Sequence, residues 1–224
     1  MTGPGSDTAG IRRARLDEVL RAAPVVSVIT IEREADGVPL ARALVAGGLR
    51  ALEITLRTPA AAAAARAIGE AVPEAIVGIG TVLTPQDLET ARSLGARFAV
   101  SPGTTPELLD AAARGDLPFI PGAQTASEIM AALARGFDVM KLFPAVPAGG
   151  IAALKALAGP FPQVRFCPTG GIGAESLLDW LRLPNVASVG GSWLASAADI
   201  RAGDWDAITV RTRRAVEMTR RVGR

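Results

Sequence analysis

Histidine and tyrosine are both absent from this 224-residue sequence. Acid–base chemistry near neutral pH must therefore use a carboxyl group, a lysine, a thiol or a metal-bound water. The absence excludes Ser-His-Asp hydrolysis, Cys-His catalysis and zinc sites with histidine ligands. No group of carboxylates or thiols has the spacing of metal ligands, so we predict no metal site.

Cysteine, aromatic residues and long apolar runs are also scarce. The single Cys167 cannot form an internal disulfide, which is typical of a reducing cytoplasm. Aromatic residues make up 4% of the chain, whereas nucleic-acid-binding grooves combine a basic face with aromatics. Six arginines among the last 14 residues are interpreted instead as a solvated terminal helix. The chain has no apolar run of the ~18–20 residues that a membrane span needs. Together these features predict a cytoplasmic protein that binds neither nucleic acid nor membrane.

Lysine is nearly absent as well, because Lys141 and Lys155 stand against 22 arginines. Lys141 lies in the apolar segment 139–144, which is typical of a buried strand. A desolvated lysine can lose its proton and attack a carbonyl, whereas arginine stays protonated. Lys141 is therefore a candidate nucleophile, and the alternative is a lysine that caps a strand or pairs with a carboxylate. Lys155 lies in a helical pattern and is expected to be exposed.

Short apolar segments alternate with helical patterns along the chain. The predicted strands cover residues 25–30, 51–56, 76–82, 98–101, 119–121, 139–143, 165–168 and 186–189. The predicted helices cover residues 11–22, 36–46, 59–71, 85–94, 105–113, 125–134, 149–158, 174–182 and 204–221. Eight strand–helix units predict a single α/β domain over residues 11–224, a (β/α)8 TIM barrel with an additional N-terminal helix. Residues 1–10 are expected to form a flexible tail, and a doubly wound sheet is disfavoured because no G-x-G-x-x-G motif follows the first strand.

Polar residues lie at the end of the second predicted strand. Glu53, Thr55 and Arg57 share one strand face because side chains alternate. In a barrel the carboxyl ends of the strands build the active site, so this polar stripe is a candidate site. Glu53 would then serve as a proton shuttle and Arg57 as a clamp for a carboxylate. The alternative is a structural pair between Glu53 and Arg57.

Glycine pairs follow the last two predicted strands. Thr169, Gly170 and Gly171 end strand seven, and Gly190, Gly191 and Ser192 end strand eight. In phosphate-using barrels these two loops commonly bind the phosphate through backbone N–H groups and a helix N-terminus. The pattern predicts an anion site here, and Thr81 offers a further hydroxyl at the same rim.

Six segments of the sequence closely resemble the 2-keto-3-deoxy-6-phosphogluconate / 4-hydroxy-2-oxoglutarate aldolase family. They occur in order over roughly residues 14–220 and read LEITLRT (52–58), GTVL (80–83), SPG (101–103), KLFP (141–144), RFCPTGG (165–171) and GGSW (190–193). The resemblance implies a (β/α)8 class I aldolase, usually a homotrimer, which needs no metal or organic cofactor. The loops 103–107 and 122–125 differ from the versions typical of the family and leave the breadth of substrates open.

The resemblance also implies roles for individual residues. Lys141 would form a Schiff base with the 2-keto carbon, and Glu53 would move protons. Residues that would hold the pyruvate end are Arg57, Thr81, Pro102 and Phe143. Residues that would hold the phosphate are Thr169, Gly170, Gly171, Gly191 and Ser192.

The leading hypothesis is reversible cleavage of 2-keto-3-deoxy-6-phosphogluconate to pyruvate and D-glyceraldehyde 3-phosphate. The galactonate-derived epimer or 4-hydroxy-2-oxoglutarate is an alternative main substrate. A non-catalytic sugar-phosphate-binding barrel, in which Lys141 is only an anion contact, is a different class of protein. A lysine-independent phosphate-barrel isomerase or synthase is disfavoured by the absence of His and Tyr.

Overall fold

The structure is a computed structural model that describes residues 5–220, and within that range parallel strands alternate with α-helices. The strands are β1 (Val25–Ile29), β2 (Ala51–Thr55), β3 (Ile76–Gly80), β4 (Phe98–Val100), β5 (Phe119–Ile120), β6 (Val139–Leu142), β7 (Arg165–Pro168) and β8 (Val189–Gly191). The helices are α1 (Gly5–Ala22), α2 (Gly37–Ala46), α3 (Ala61–Ala71), α4 (Pro85–Ser93), α5 (Pro106–Arg114), α6 (Ala126–Leu133), α7 (Gly150–Ala158), α8 (Leu177–Leu181), α9 (Ala197–Ala202) and α10 (Trp205–Arg220).

The strands form two parallel ladders. Six strands pair in the order β5-β4-β3-β2-β1-β8, and β6 pairs with β7 in a sheet of two. Single bridges, Gly122 to Lys141 on one side and Phe166 to Val186 and Thr169 to Gly190 on the other, connect the two sheets. The fold is therefore α/β with a curled parallel sheet of six strands. The predicted (β/α)8 barrel is met only in part, because the ladder is interrupted between β5 and β6 and between β7 and β8, where β5 has two residues and β8 has three.

The core has two compartments separated by the sheet. The larger one lies between the strands and the surrounding helices and includes Ile29, Ile54 and Leu44. The smaller one contains Phe98, Val139 and Cys167 from the strands together with Leu16, Val19 and Leu20 from α1. Helix α1 therefore covers one end of the space between the strands. The loops that follow the strands are then where a functional site is expected.

Threonine caps fix the starts of three helices that follow strands. The side chain of Thr84 accepts from the backbone N–H of Asp87, and Thr125 and Glu128 form the same reciprocal capping box at α6. Thr105 caps α5 in the same way without the reciprocal carboxylate. These caps satisfy backbone N–H groups that have no partner within the helix. They fix where each loop between a strand and its helix ends.

Several predicted boundaries differ from the structure. The first helix begins at Gly5 rather than near residue 11, so part of the predicted tail is helical and residues 1–4 lie outside the described range. The last strand is Val189–Gly191 rather than 186–189, because Val186 contributes only a single bridge. Helix α9 was missed, since six residues carry too little periodicity to recognise.

Among residues 5–220, no helix is both long and apolar enough to cross a membrane.

Candidate active site

A buried ion pair joins two strands across the enclosed space. The Nζ atom of Lys141 on β6 donates to Oε1 of Glu53 on β2 at 2.9 Å. Lys141 is 4% exposed and Glu53 is 3% exposed. Because both groups are removed from water, the desolvation of their charges is costly, and packing of the core does not require such a pair. Lys141 is therefore buried, and it pairs with a carboxylate as in the alternative interpretation, while its role as a nucleophile stays a prediction.

Glycine on β3 makes room for the Glu53 carboxylate. A Cβ atom added to Gly80 would lie 2.2 Å from Oε1 of Glu53. At Gly78, two residues earlier on the same strand, an added Cβ would lie 2.2 Å from the ring of Phe98. Strand β3 therefore lacks side chains where the interior must hold a carboxylate and a phenyl ring.

Arg57 and Thr81 meet beyond the ends of β2 and β3. Nε of Arg57 donates to Oγ1 of Thr81 at 3.1 Å. Thr81 has a φ of 60°, and a β-branched residue in this left-handed region is strained. The alternative pairing of Glu53 with Arg57 is not formed. Thr55, the third member of the stripe, is buried and donates to the carbonyl of Ile29 at 2.9 Å.

Phe143 and Pro102 lie next to Lys141 and its strand. The ring centroid of Phe143 is 5.4 Å from Nζ of Lys141. The backbone of Pro102 lies against Gly122, where an added Cβ would come within 2.3 Å of the Pro102 carbonyl carbon. Gly122 is the bridge partner of Lys141, and its N–H donates to Oγ of Ser101 at 3.1 Å.

The loop after β7 lies against the loop after β6. The backbone N–H groups of Ala145 and Val146 donate to the carbonyls of Thr169 at 2.7 Å and Gly170 at 3.1 Å. Gly170 and Gly171 have φ values of 101° and 79°, a region that favours glycine. Within residues 5–220, no protein acceptor takes the N–H of Gly170 or Gly171. Two donors are thus left at the predicted anion site.

Glycine is needed at Gly190 and Gly191, the last two residues of β8, for a reason other than the predicted approach to an anion. A Cβ on Gly190 would lie 2.1 Å from Oγ1 of Thr169, and one on Gly191 would lie 1.9 Å from the ring of Trp193. Both positions need glycine for close packing within the protein. Ser192 is exposed. Helix α8 begins at Leu177, so Thr169, Gly170 and Gly171 lie in the loop that precedes it rather than at its N-terminus.

A family model with the description Aldolase: KDPG and KHG aldolase matches residues 16–211. The chain belongs to this family. The KHG/KDPG aldolase of Escherichia coli (strain K12) is 53% identical over 201 residues, which cover 90% of this chain and 94% of that protein. The 2-dehydro-3-deoxy-phosphogluconate aldolase of Dickeya dadantii (strain 3937) is 51% identical over 200 residues, covering 89% of this chain and 94% of that protein.

Solved structures of KDPG aldolases share the fold. One is a crystal structure of the KDPG aldolase from Legionella pneumophila with pyruvate captured at low pH as a covalent carbinolamine intermediate. It is similar to this chain with a TM-score of 0.86 and 47% identity, covering 88% of this chain and 96% of that chain. A structure of the Zymomonas mobilis ZM4 enzyme with 3-phosphoglycerate has a TM-score of 0.85 and 46% identity, covering 89% and 94%.

Cys167 and Lys155 lie in different environments in this aldolase-family chain. Burial raises the pKa of the Cys167 thiol to about 12, so the thiol is neutral at physiological pH. Lys155 is exposed on α7, as expected. Within the described part of the chain, no group of three or more Cys, Asp and Glu residues has the geometry of a metal site.

Two contacts at the site were not foreseen from the sequence. The partner of Lys141 lies 88 residues away on Glu53, a pairing that depends on how β2 and β6 face each other. The second is Gln124, whose Nε2 donates to the carbonyl oxygen of Phe143. The only sequence signal for Gln124 was its place in the loop 122–125, which departs from the family pattern.

Proposed function

We propose that this chain is a class I aldolase that reversibly cleaves 2-keto-3-deoxy-6-phosphogluconate to pyruvate and D-glyceraldehyde 3-phosphate. The observation that carries the proposal is the buried contact of 2.9 Å between Nζ of Lys141 and the carboxylate of Glu53. It places a nucleophilic amine and a proton acceptor side by side, away from water. Relatives at about half identity are named as aldolases of this substrate class.

The pair suits each step of the reaction. Nζ of Lys141 bonds to the 2-keto carbon, and loss of the carbonyl oxygen as water leaves a protonated imine. The imine accepts the electron pair of the breaking C3–C4 bond, while the C4 hydroxyl loses its proton to Glu53 and becomes the aldehyde. Protonation at C3 and hydrolysis of the imine then release pyruvate and restore the lysine.

Two groups of residues are proposed to hold the ends of the substrate. Arg57 and Thr81, which are hydrogen-bonded to each other, would bind the carboxylate of the pyruvate unit. Pro102 and Phe143 would shape the pocket around that unit. The phosphate would bind in the loop after β7 and at the end of β8, where the residues are Thr169, Gly170, Gly171, Gly191 and Ser192.

The architecture proposed for this function is one (β/α)8 barrel domain that assembles as a homotrimer. The single bridges between β5 and β6 and between β7 and β8 are consistent with a closed barrel. No metal or organic cofactor is required in this proposal, because the imine itself is the electron sink. A cytoplasmic location fits a metabolic enzyme with one unpaired cysteine.

Replacement of each lysine by arginine tests the role of Lys141. Lys141→Arg keeps the charge but stays protonated, so we expect pyruvate release to fall by more than about a thousandfold. Lys155→Arg is the matched control and should retain wild-type kcat and KM. An active Lys141→Arg variant, or an inactive but folded Lys155→Arg variant, would contradict the proposal.

Substrate preference tests the phosphate loops separately. We expect kcat/KM for 2-keto-3-deoxy-6-phosphogluconate to exceed that for unphosphorylated 4-hydroxy-2-oxoglutarate by at least about tenfold, since charged hydrogen bonds to phosphate are strong. The galactonate-derived epimer should be assayed alongside, because it differs only in stereochemistry. Equal efficiency on phosphorylated and unphosphorylated substrates would refute the assignment of the phosphate site.

A further inference from the structure

Gln124 makes a side-chain contact between two loops of the site. It lies between β5 and α6 and its side chain is exposed. Its Nε2 donates to the carbonyl oxygen of Phe143, the residue that follows β6. Because a carbonyl oxygen only accepts hydrogen bonds, the group that faces it must be a donor. This position therefore uses the amide N–H₂ of glutamine.

The loop that carries Gln124 is itself firmly anchored. The backbone N–H of Ala123 donates to the carbonyl of Lys141 at 2.9 Å. The N–H of Gln124 donates to Oε2 of Glu128 at 2.9 Å. Burial acts against ionisation of Glu128, but hydrogen bonds from the backbones of Gln124 and Thr125 outweigh it and lower the pKa of this carboxyl. The backbone of Gln124 is thus held in place beside β6 by these hydrogen bonds.

The segment that Gln124 holds is the part of β6 and its loop nearest the lysine. The ring centroid of Phe143 lies 5.4 Å from Nζ of Lys141. On the other side, Phe143 and Pro144 border Gly170, where an added Cβ would come within 3.4 Å of the Phe143 ring and 3.2 Å of Pro144. A shift of the Phe143 backbone would therefore move both the ring beside the amine and the wall of the Gly170 loop.

We propose that Gln124 is a positioning residue for the reaction, which acts by fixing the Phe143 carbonyl and with it the aromatic wall beside Lys141. This inference rests on the proposed aldolase function and deepens it. An exposed glutamine contributes little to stability, so its effect should appear in the rate rather than in folding. Loss of one neutral hydrogen bond in the positioning of a reacting group corresponds to about a tenfold change in rate.

Two substitutions separate the hydrogen bond from the space that the side chain fills. Gln124→Met keeps an unbranched side chain of similar length but has no donor. Gln124→Lys restores a donor on a side chain long enough to reach the carbonyl. Gln86→Met, at an exposed glutamine in the first turn of α4, is the matched control. Each variant is assayed for kcat and KM of pyruvate release and for its thermal midpoint.

The proposal predicts that Gln124→Met lowers kcat about tenfold with a small change in KM and an unchanged thermal midpoint. Gln124→Lys should recover part of that loss, and Gln86→Met should match the wild type. Wild-type kcat in Gln124→Met, or an equal loss in the Met and Lys variants, would overturn the positioning role. A wild-type protein that releases no pyruvate would instead refute the proposed function, so the two failures are distinguishable.

Discussion

The two lysines of the chain lie in opposite environments. Lys141 is 4% exposed and hydrogen-bonded to Glu53, whereas Lys155 is exposed on α7. The apolar neighbours of Lys141 in the sequence were enough to predict its burial. Its partner was not predictable, because Glu53 reaches it across the interior between strands that do not pair. The residues next to Lys141 in the sequence thus predict its burial. Its contact across the interior depends on how the strands are arranged in three dimensions.

At the residue scale, Gly80→Ala should disable the site by steric conflict with Glu53. The added methyl would lie 2.2 Å from the carboxylate oxygen, so the carboxylate must move away from Lys141. We expect a loss of about 1–3 kcal/mol in the free energy of unfolding and a fall of more than about a hundredfold in kcat. Urea denaturation and steady-state kinetics measure the two effects.

The control for this substitution is Gly69→Ala in α3. A Cβ at Gly69 meets nothing within 4 Å. The change should raise stability by about 0.5–1 kcal/mol and leave kcat unchanged. Wild-type kinetics in a folded Gly80→Ala variant would show that the placement of Glu53 does not matter for turnover.

Cys167 gives a prediction about pH. Burial raises the pKa of its thiol to about 12, whereas the thiol of an unfolded chain ionises near ~8.5. The unfolded state therefore releases a proton first, and stability falls as pH rises from about 8.5 towards about 12, by up to about 1.4 kcal/mol per pH unit. Urea unfolding at several alkaline pH values should show this slope in the wild type. The slope should be absent from Cys167→Ala, and identical slopes would contradict the assignment.

At the element scale, Arg12 attaches α1 to the rest of the molecule. Its guanidinium donates to the carbonyls of Ala112 at 3.3 Å, Ala113 at 3.0 Å and Gly115 at 3.2 Å, at the carboxyl end of α5. It also lies 4.6 Å from the ring centroid of Phe137. A cation there satisfies carbonyls that have no partner within the helix and complements the helix dipole. Burial lowers the pKa of this arginine.

Removal of that side chain should loosen α1 from the fold. We expect Arg12→Ala to reduce the free energy of unfolding by about 2–4 kcal/mol, because one buried and two partly buried carbonyls lose a charged donor. Arg13→Ala is the matched control, since the Arg13 side chain is 61% exposed in its ion pair with Asp138 and such pairs contribute ~0–1 kcal/mol. Equal losses in both variants would contradict the capping role of Arg12.

The helices and strands themselves were largely predictable, and the exceptions have physical reasons. Short apolar segments, such as those of β2 and β7, were located to within one residue at each end. Short elements were the weak point. The predicted strand at 186–189 began at Val186, whose apolar side chain packs in the core although its backbone makes only one bridge. Helix α9 depends on the Ser196 cap, a local signal that a periodicity search does not detect.

At the scale of the whole molecule, the homotrimer implied by the family resemblance remains a proposal. We expect sedimentation equilibrium to give a mass about three times the 23.0 kDa of one chain. Exposed apolar side chains such as Leu83 at 55% and Met130 at 61% are candidates for burial in such an assembly. A concentration-independent mass of one chain would contradict the trimer.

The two glycine pairs of the predicted phosphate site lie close together in the fold. Gly170 and Gly171 lie in the loop after β7, whereas Gly190 and Gly191 are the last two residues of β8, and a bridge between Thr169 and Gly190 brings the two pairs together. Glycine is needed in the two pairs for different reasons. Gly170 and Gly171 have a left-handed backbone conformation, whereas Gly191 makes room for Trp193. Packing of this kind cannot be inferred from spacing, because it depends on which side chain folds back over the loop.

Reductive trapping shows directly whether Lys141 forms an imine with pyruvate. The protein is incubated with pyruvate and borohydride, which reduces an imine to a stable secondary amine, and the adduct is mapped by peptide mass spectrometry. We predict one pyruvate-derived adduct on Lys141, and none in Lys141→Arg. No covalent adduct in the wild type, or an adduct on Lys155 in place of Lys141, would contradict the account.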